Sequence, residues 1–307
     1  MWKRKPVCME TLFDEALKYD ERYLEAAIHA VELYDSYDQA RGRIREFLSR
    51  KSQWDFKATN PHSKRIWFEG LIDSYLNSNL RDMRPEGEQE GDPKFKCGMI
   101  TFTHSDWVCT DVDFKFDLEK AKQKVRNALS GMTFIACFEA AYYVNEKVTK
   151  DGMTGSLVSF HCHAIVWTSS TFKLKRARML SKSRFKPILG CKSAVRLDVI
   201  KSAEDVCGTI RYMTKMPFYG YRTVVENGKT KQKKAHLSDR QKYKLINAMG
   251  AYDLLDLWLA GGQGAELMAG TKRHVSRRRR ERLSGRPKLT SRESFSLYRS
   301  SPKHIRF

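Results

Sequence analysis

The chain has 307 residues, 41% of them hydrophobic, which is enough for one large domain or a core domain with helical additions. A formal net charge of +21 makes a polyanion the expected partner, nucleic acid first and an anionic membrane surface second. No run of about 18 apolar residues occurs, so no membrane span is expected, and seven scattered cysteines without a CxxC pair point to a reducing, cytoplasmic setting without a disulfide framework or structural zinc. The N-terminus, Met1 to Pro6, lacks the apolar core of a signal peptide.

Residues 1–90 read as a helical N-terminal region. Helix-period apolar positions run from Glu10 to Asp35, again from Tyr37 to Leu48, and again from Ser63 to Leu80. Charges of both signs are interspersed, which fits a helical cap or oligomerisation element, or a module that recognises a DNA site. The polar, Gly- and Pro-containing stretch Arg81 to Pro93 reads as a linker.

A strand-rich middle follows. Lys96 to His104 is short, apolar and β-branched and predicts a strand with Thr101 and Thr103 on one face and Ile100 and Phe102 on the other. Asp117 to Leu129 predicts an amphipathic helix ended by Gly131, and Thr133 to Val144 a second strand carrying Glu139.

The third strand, Ser159 to Trp167, holds two histidines one residue apart. Side chains alternate along a strand, so His161 and His163 point one way and Cys162 the other. Lys150-Asp151-Gly152 is a hairpin-turn signal. Pairing about a turn centred at Asp151 sets Glu139 opposite His163, and directly paired residues share a face. Two imidazoles and a carboxylate with open positions then suit Mg²⁺ or Mn²⁺. The bland reading of Glu139 is a solvent-facing charge on an edge strand, and a slip of one residue would send it to the other face.

Lys173 to Lys186 carries Lys173, Lys175, Arg176, Arg178, Lys182, Arg184 and Lys186 and no acid. It reads as a phosphate-binding stretch or a solvated helix face. Ser193 to Ile200 predicts a strand. Ala203 to Lys215 predicts a helix with Tyr212 and Lys215 on one face. A tyrosine hydroxyl has an ordinary pKa of about 10 and is a poor nucleophile at neutral pH. Beside a metal-polarised phosphate and a lysine it can attack phosphorus and form a phosphotyrosine; alone, the pair reads as a half-buried tyrosine with a snorkelling lysine.

Phe218 to Lys234 is aromatic, then basic. It can stack bases, or form a solvated hairpin around Glu226-Asn227-Gly228. Residues 235–270 read as a helical C-terminal extension, with two helices between Ser238 and Leu259, and the glycines near Gly264 fail the P-loop spacing. Residues 271–307 read as a basic tail. Its block Lys272 to Lys288, with Arg277, Arg278, Arg279 and Arg280, is too charged to pack and should bind nucleic acid electrostatically, as a disordered segment or a surface helix.

The order of a Thr-bearing strand (Met99 to Thr103), His-x-His followed by apolar residues, and Tyr-x-x-Lys on a helix resembles the HUH endonuclease superfamily, and within it the rolling-circle replication initiators of plasmids and phages. The likeness spans roughly residues 96–220, within an expected endonuclease core of 94–222. It implies an α+β fold with a central antiparallel sheet and flanking helices. It implies metal ligation by His161, His163 and Glu139, with Tyr212 as the nucleophile that nicks single-stranded DNA at an origin, keeps the 5′-phosphate and leaves a free 3′-OH. Lys215 matches the family's motif lysine, which helps to position the phosphate or the metal-bound complex. The tyrosine follows the histidines, which resembles replication initiators and single-tyrosine transposases rather than relaxases. The second tyrosine of some initiators is replaced here by Gly208. With no helicase motor in the sequence, a host helicase and polymerase are the further partners implied. A DNA-binding regulator without catalysis is the reading from another class.

Overall fold

A computed structural model of the chain describes residues 9–36, 39–40, 58–81, 96–146, 155–188, 193–215, 220–227 and 229–283. In chain order these form α1 (Met9–Tyr34), α2 (Pro61–Leu76), β1 (Lys96–Thr110), α3 (Leu118–Ala128), β2 (Thr133–Glu146), β3 (Gly155–Thr168), α4 (Thr171–Lys182), β4 (Val195–Ile200), α5 (Ala203–Thr214), β5 (Gly220–Glu226), β6 (Lys229–Ala235), α6 (Asp239–Gly250), β7 (Trp258–Gly261) and α7 (Gln263–Leu283). Most of the expected helix Tyr37–Leu48, the linker and the tail beyond Leu283 lie outside the described residues.

The histidine strand is central. β3 pairs antiparallel with β1 on one side and β2 on the other, and β4 closes the β1 edge, also antiparallel. The far edge of β2 is shared. One end takes β7 antiparallel, and the other takes β5 in parallel through Tyr142–Gly220 and Tyr143–Tyr221. The fold is thus α+β as expected, and the central strands β4, β1, β3 and β2 are antiparallel, but the β2–β5 pair is parallel and makes the sheet as a whole mixed. The reason is α5, which carries the chain from the β4 edge across one face and delivers β5 beside β2 in the same direction. Parallel neighbours require such a crossover. The β5–β6 hairpin turns at Asn227, whose φ of 52° lies in the left-handed region that asparagine tolerates.

Sequence alternation divides the sheet into two faces. Ile100, Phe102, Phe138 and Phe160 point to one and are buried. There they meet Trp107, Phe116 and Phe185, with Phe116 stacked on Phe160 at 4.1 Å. α4 lies on this face with Leu174 over Gly98, where an added Cβ would stand 2.8 Å from Leu197 and 3.4 Å from Leu174. α3 packs beside it, started by Asp117, whose carboxylate accepts from Lys120 N–H.

The opposite face carries His161, His163 and Trp167. α2 and α5 cover it. α2 begins at an Asn60 cap with proline inside its first turn, as helix starts prefer. It buries Trp67, Phe68, Leu71 and Ile72, and sets Tyr75 6.3 Å from Trp167. The 1–90 region therefore supplies part of the core of the sheet domain through α2. α1 packs Tyr23, Ala27, Ala30 and Val31 against Ile246 of α6.

Two further expectations change. α6 forms, with Ser238 and Gln241 in a capping box. The second helix expected before Leu259 does not; Trp258–Gly261 instead becomes β7. A short apolar run is ambiguous by periodicity, and the open edge of β2 decides it. The block from Lys272 takes the surface-helix form of its two readings as far as Leu283, and one face of that helix packs. α7 runs through it to Leu283, with Leu267, Thr271 and Val275 buried at i, i+4 and i+8 while Arg273, Arg277, Arg279 and Arg280 are exposed. Among the described residues, no helix is long and apolar enough to cross a membrane.

Candidate metal centre

His161 and His163 share the face that α2 and α5 cover, as their spacing requires. Glu139 joins them from β2, paired with His161, while Cys137 stands opposite His163. This corrects the expected Glu139–His163 pairing. The hairpin register differs by two residues from a turn centred on Asp151, and a shift of two keeps the face where a shift of one would reverse it. β2 is an interior strand and Glu139 is 2% exposed, so the solvent-facing edge reading fails.

Glu139 Oε2 lies 3.6 Å from His161 Nε2 and 3.8 Å from His163 Nε2, and the two rings are 4.7 Å apart edge to face. These gaps are longer than hydrogen bonds. One ligand atom from each residue falls within 4.8 Å of the others, so the three can hold one metal ion. Glu139 Oε1 and His163 Nε2 are buried without a hydrogen-bond partner, an expensive state for two polar atoms and one that a cation between them relieves. Two nitrogens and one carboxylate oxygen are a donor set that first-row divalent ions accept.

Thr101 completes the arrangement from β1. It pairs with His163 across the ladder, and its Oγ1 lies 3.0 Å from Nδ1. Donation from Nδ1–H to Thr101 leaves Nε2 as a lone-pair donor aimed at Glu139, the orientation a ligating histidine needs. Just past Thr103 the β1–β3 register shifts, a bulge beside the site that lets His104 to Trp107 leave the ladder.

α5 brings the tyrosine and lysine. Its N-cap is Ser202 and its C-cap Lys215, one residue beyond the helix. The half-buried Tyr212 ring sits 5.0 Å from His163 edge to face, and Lys215 Nζ lies 3.3 Å from the centre of that ring. Lys64 of α2, itself buried, donates to the Lys215 carbonyl at 3.2 Å.

The electrostatics favour a charged carboxylate beside neutral imidazole. Burial would raise the Glu139 carboxyl, but the adjacent His161 ring, then His163 and Lys215, outweigh it and hold the group at about 2. Burial, with the neighbouring His161, lowers His163 to about 3. Burial also lowers Lys215 to about 8, opposed by Glu139 and reinforced by Lys234, Arg211 and Lys64. Arg196, on β4 opposite Thr101, adds its charge to the surroundings of His163. The site is thus a pocket of ligating groups ringed by cations.

The structure brings Glu139, His161, His163, Tyr212 and Lys215 together and leaves the basic stretch elsewhere. Lys173, Lys175, Arg176, Arg178 and Lys182 lie on α4, on the opposite face of the sheet, with Arg184 and Lys186 just after it. Arg184 donates to Asn127 O there. Arg277, Arg278, Arg279 and Arg280 lie on α7, where Arg278 is 3.6 Å from Glu69. Sequence reasoning placed Thr101 on the correct face without assigning it a role. It missed Lys64, Arg196 and Arg211. Lys64 has no local signal, because its partner is 151 positions away.

No protein-family model, no curated protein and no solved structure matches this chain. What the fold and site define is an α+β protein with a mixed, curled sheet and a buried Glu–His–His group able to hold a metal ion.

Proposed function

We propose that this protein is a metal-dependent, site-specific endonuclease and strand transferase for single-stranded DNA, a replication initiator of the rolling-circle kind. The observation that carries the reading is the placement of the Tyr212 ring 5.0 Å from His163, beside the Glu139–His161–His163 group and under the Lys215 ammonium. His161 Nε2, His163 Nε2 and a Glu139 oxygen would hold the ion, with Mg²⁺ or Mn²⁺ the candidates and Mn²⁺ better suited to two imidazoles. A divalent ion bound there supplies Lewis-acid polarisation of a phosphoryl oxygen.

The chain's own residues supply the rest. Thr101 fixes the His163 ring. Lys215, its ammonium 3.3 Å from the centre of the Tyr212 ring, steadies the negative charge that develops as the Tyr212 hydroxyl proton passes to solvent. The phenolate oxygen forms a bond to phosphorus, the P–O3′ bond breaks, and the 3′ oxygen leaves with a proton as a free hydroxyl. The 5′-phosphate stays on Tyr212 as an ester, and the reverse reaction with another 3′-OH transfers the strand. The ring of cations supports an anionic, phosphodiester substrate. A transposase would use the same chemistry. The position of Tyr212 after the histidines favours either enzyme over a relaxase, and a free 3′-OH is what a replication initiator hands to a polymerase.

The test is adduct formation. The full chain is incubated with a pool of randomised single-stranded oligonucleotides, with Mn²⁺ or with chelator, and run on a denaturing gel. A metal-dependent protein–DNA adduct that is lost in Tyr212→Phe is the expected result. An adduct that persists in that variant moves the nucleophile to another residue, and no adduct under any metal condition leaves DNA binding without catalysis.

A further inference from the structure

Helices α2 and α7 approach closely through small residues. A Cβ on Gly70 would stand 3.0 Å from Thr271 Cγ2, and one on Gly270 would stand 2.8 Å from Ser74 Oγ. Beside this contact the helices enclose a cleft of about 530 Å³, between the last turn of α2 with the residues after it and one stripe of α7. Arg273, Arg277 and Arg280 line it. At i, i+4 and i+7 they share a helix face and extend about 10 Å along the axis. Arg273 and Arg280 are exposed and form no ion pair among the described residues.

Two acids, Asp73 and Glu266, also line the cleft. Asp73 is already engaged, 3.1 Å from His274 Nδ1 and 3.8 Å from Arg277 Nη2, so its charge steadies the basic wall more than it cancels it. His274 Nε2 is buried in this wall without a hydrogen-bond partner. Asn79, exposed at the mouth, offers an amide donor and acceptor of the kind that pairs with base edges.

We propose that this cleft is a second nucleic-acid site, separate from the Glu139–His161–His163 centre, which grips a short stretch of single strand by its phosphodiester backbone. The arginine stripe matches about three stacked nucleotides at about 3.4 Å each, and the volume is that of a small-ligand cleft, too small for a duplex. Guanidinium forks pair with phosphate in two hydrogen bonds, which suits arginine rather than lysine for the task. The cleft also has a defined relation to the metal centre. Lys64 and Asp73 are on the same helix, about 14 Å apart along its axis, and Lys64 touches the Lys215 carbonyl. On the endonuclease reading, a strand held in the cleft would run on toward the candidate nucleophile; the binding site itself does not rest on that reading.

The test uses the full chain in chelator, so that nicking plays no part. A fluorescent oligothymidylate is titrated by anisotropy across a salt series. Arg273→Ala with Arg280→Ala is expected to weaken binding about tenfold and to reduce the slope of log affinity against log salt by about 1.4, two phosphate contacts at about 0.7 each. The charge-matched control, Lys272→Ala with Arg279→Ala, alters exposed cations of α7 outside the cleft and is expected to stay within about twofold of the parent. Equal losses in both variants would reduce the effect to diffuse charge and overturn the cleft. So would unchanged binding in the first. Displacement of the oligonucleotide by polyglutamate as readily as by unlabelled oligothymidylate would reassign the cleft to an acidic protein segment. Failure of the Tyr212 adduct assay leaves every one of these readouts intact.

Discussion

Glu139 stands opposite His161 across the β2–β3 ladder, and its Oε2 lies 3.6 Å from that imidazole and 3.8 Å from the imidazole of His163, two residues along. One carboxylate therefore serves both rings. Glu139→Gln keeps the shape and removes the charge. It is expected to weaken Mn²⁺ binding at least tenfold, read by titration calorimetry, while the protein remains folded. Unchanged Mn²⁺ affinity would remove Glu139 from the ligand set.

Thr101 orients His163 through a 3.0 Å contact to Nδ1. Thr101→Val has nearly the same shape and loses the hydroxyl. Metal affinity is expected to fall about tenfold to a hundredfold, and Thr101→Ser to restore most of it. A valine variant with parental affinity would show that packing alone holds the ring.

The metal-free protein should lose stability as pH falls below about 6.5. His163 is held at about 3, below its ordinary 6.5, so in that interval the unfolded chain binds a proton that the native state does not. Glu139, held at about 2 against an ordinary 4.5, adds the same sign of dependence below about 4.5. Denaturant midpoints measured in chelator from pH 8 to pH 4 should fall over the lower part of that range. His163→Gln should flatten the limb between about 6.5 and 4.5, and an unaltered limb would exclude His163 as its source.

Lys64 ties α2 to the end of the tyrosine helix by donating to the Lys215 carbonyl at 3.2 Å. Lys64→Met removes that donor while keeping much of the aliphatic stem. The expected cost is about 1–3 kcal/mol in denaturant unfolding. Single-turnover adduct formation at low temperature should slow as well, because the tether sets where Lys215 sits over Tyr212. A variant with lower stability but parental turnover would make Lys64 purely structural.

The cations of α4 lie on the far face of the sheet from Tyr212. Lys175→Ala with Arg176→Ala is therefore expected to leave the rate of adduct formation at saturating DNA within about twofold, even where overall DNA affinity falls with the lost charge. A large drop in that rate would mean that α4 reaches the substrate at the centre.

Local chemistry made much of this protein legible from its sequence. Alternation along a strand put His161 and His163 on one face and Cys162 on the other. The turns at Gly131 and Asn227, the amphipathic helix after Asp117 and the helix carrying Tyr212 were all readable, because each depends on a few adjacent residues. Glu139 was found through a hairpin, with its face correct and its partner off by two, since face has period two while register depends on turn geometry. Tertiary packing decided the rest. The edge of β2 made a strand of Trp258–Gly261, and the surface of α2 gave the arginine-rich α7 a partner. The crossover of α5 made the sheet mixed and laid Tyr212 over His163. Contacts such as Lys64 with Lys215 join positions far apart in the chain, and no local pattern encodes which buried surfaces will meet.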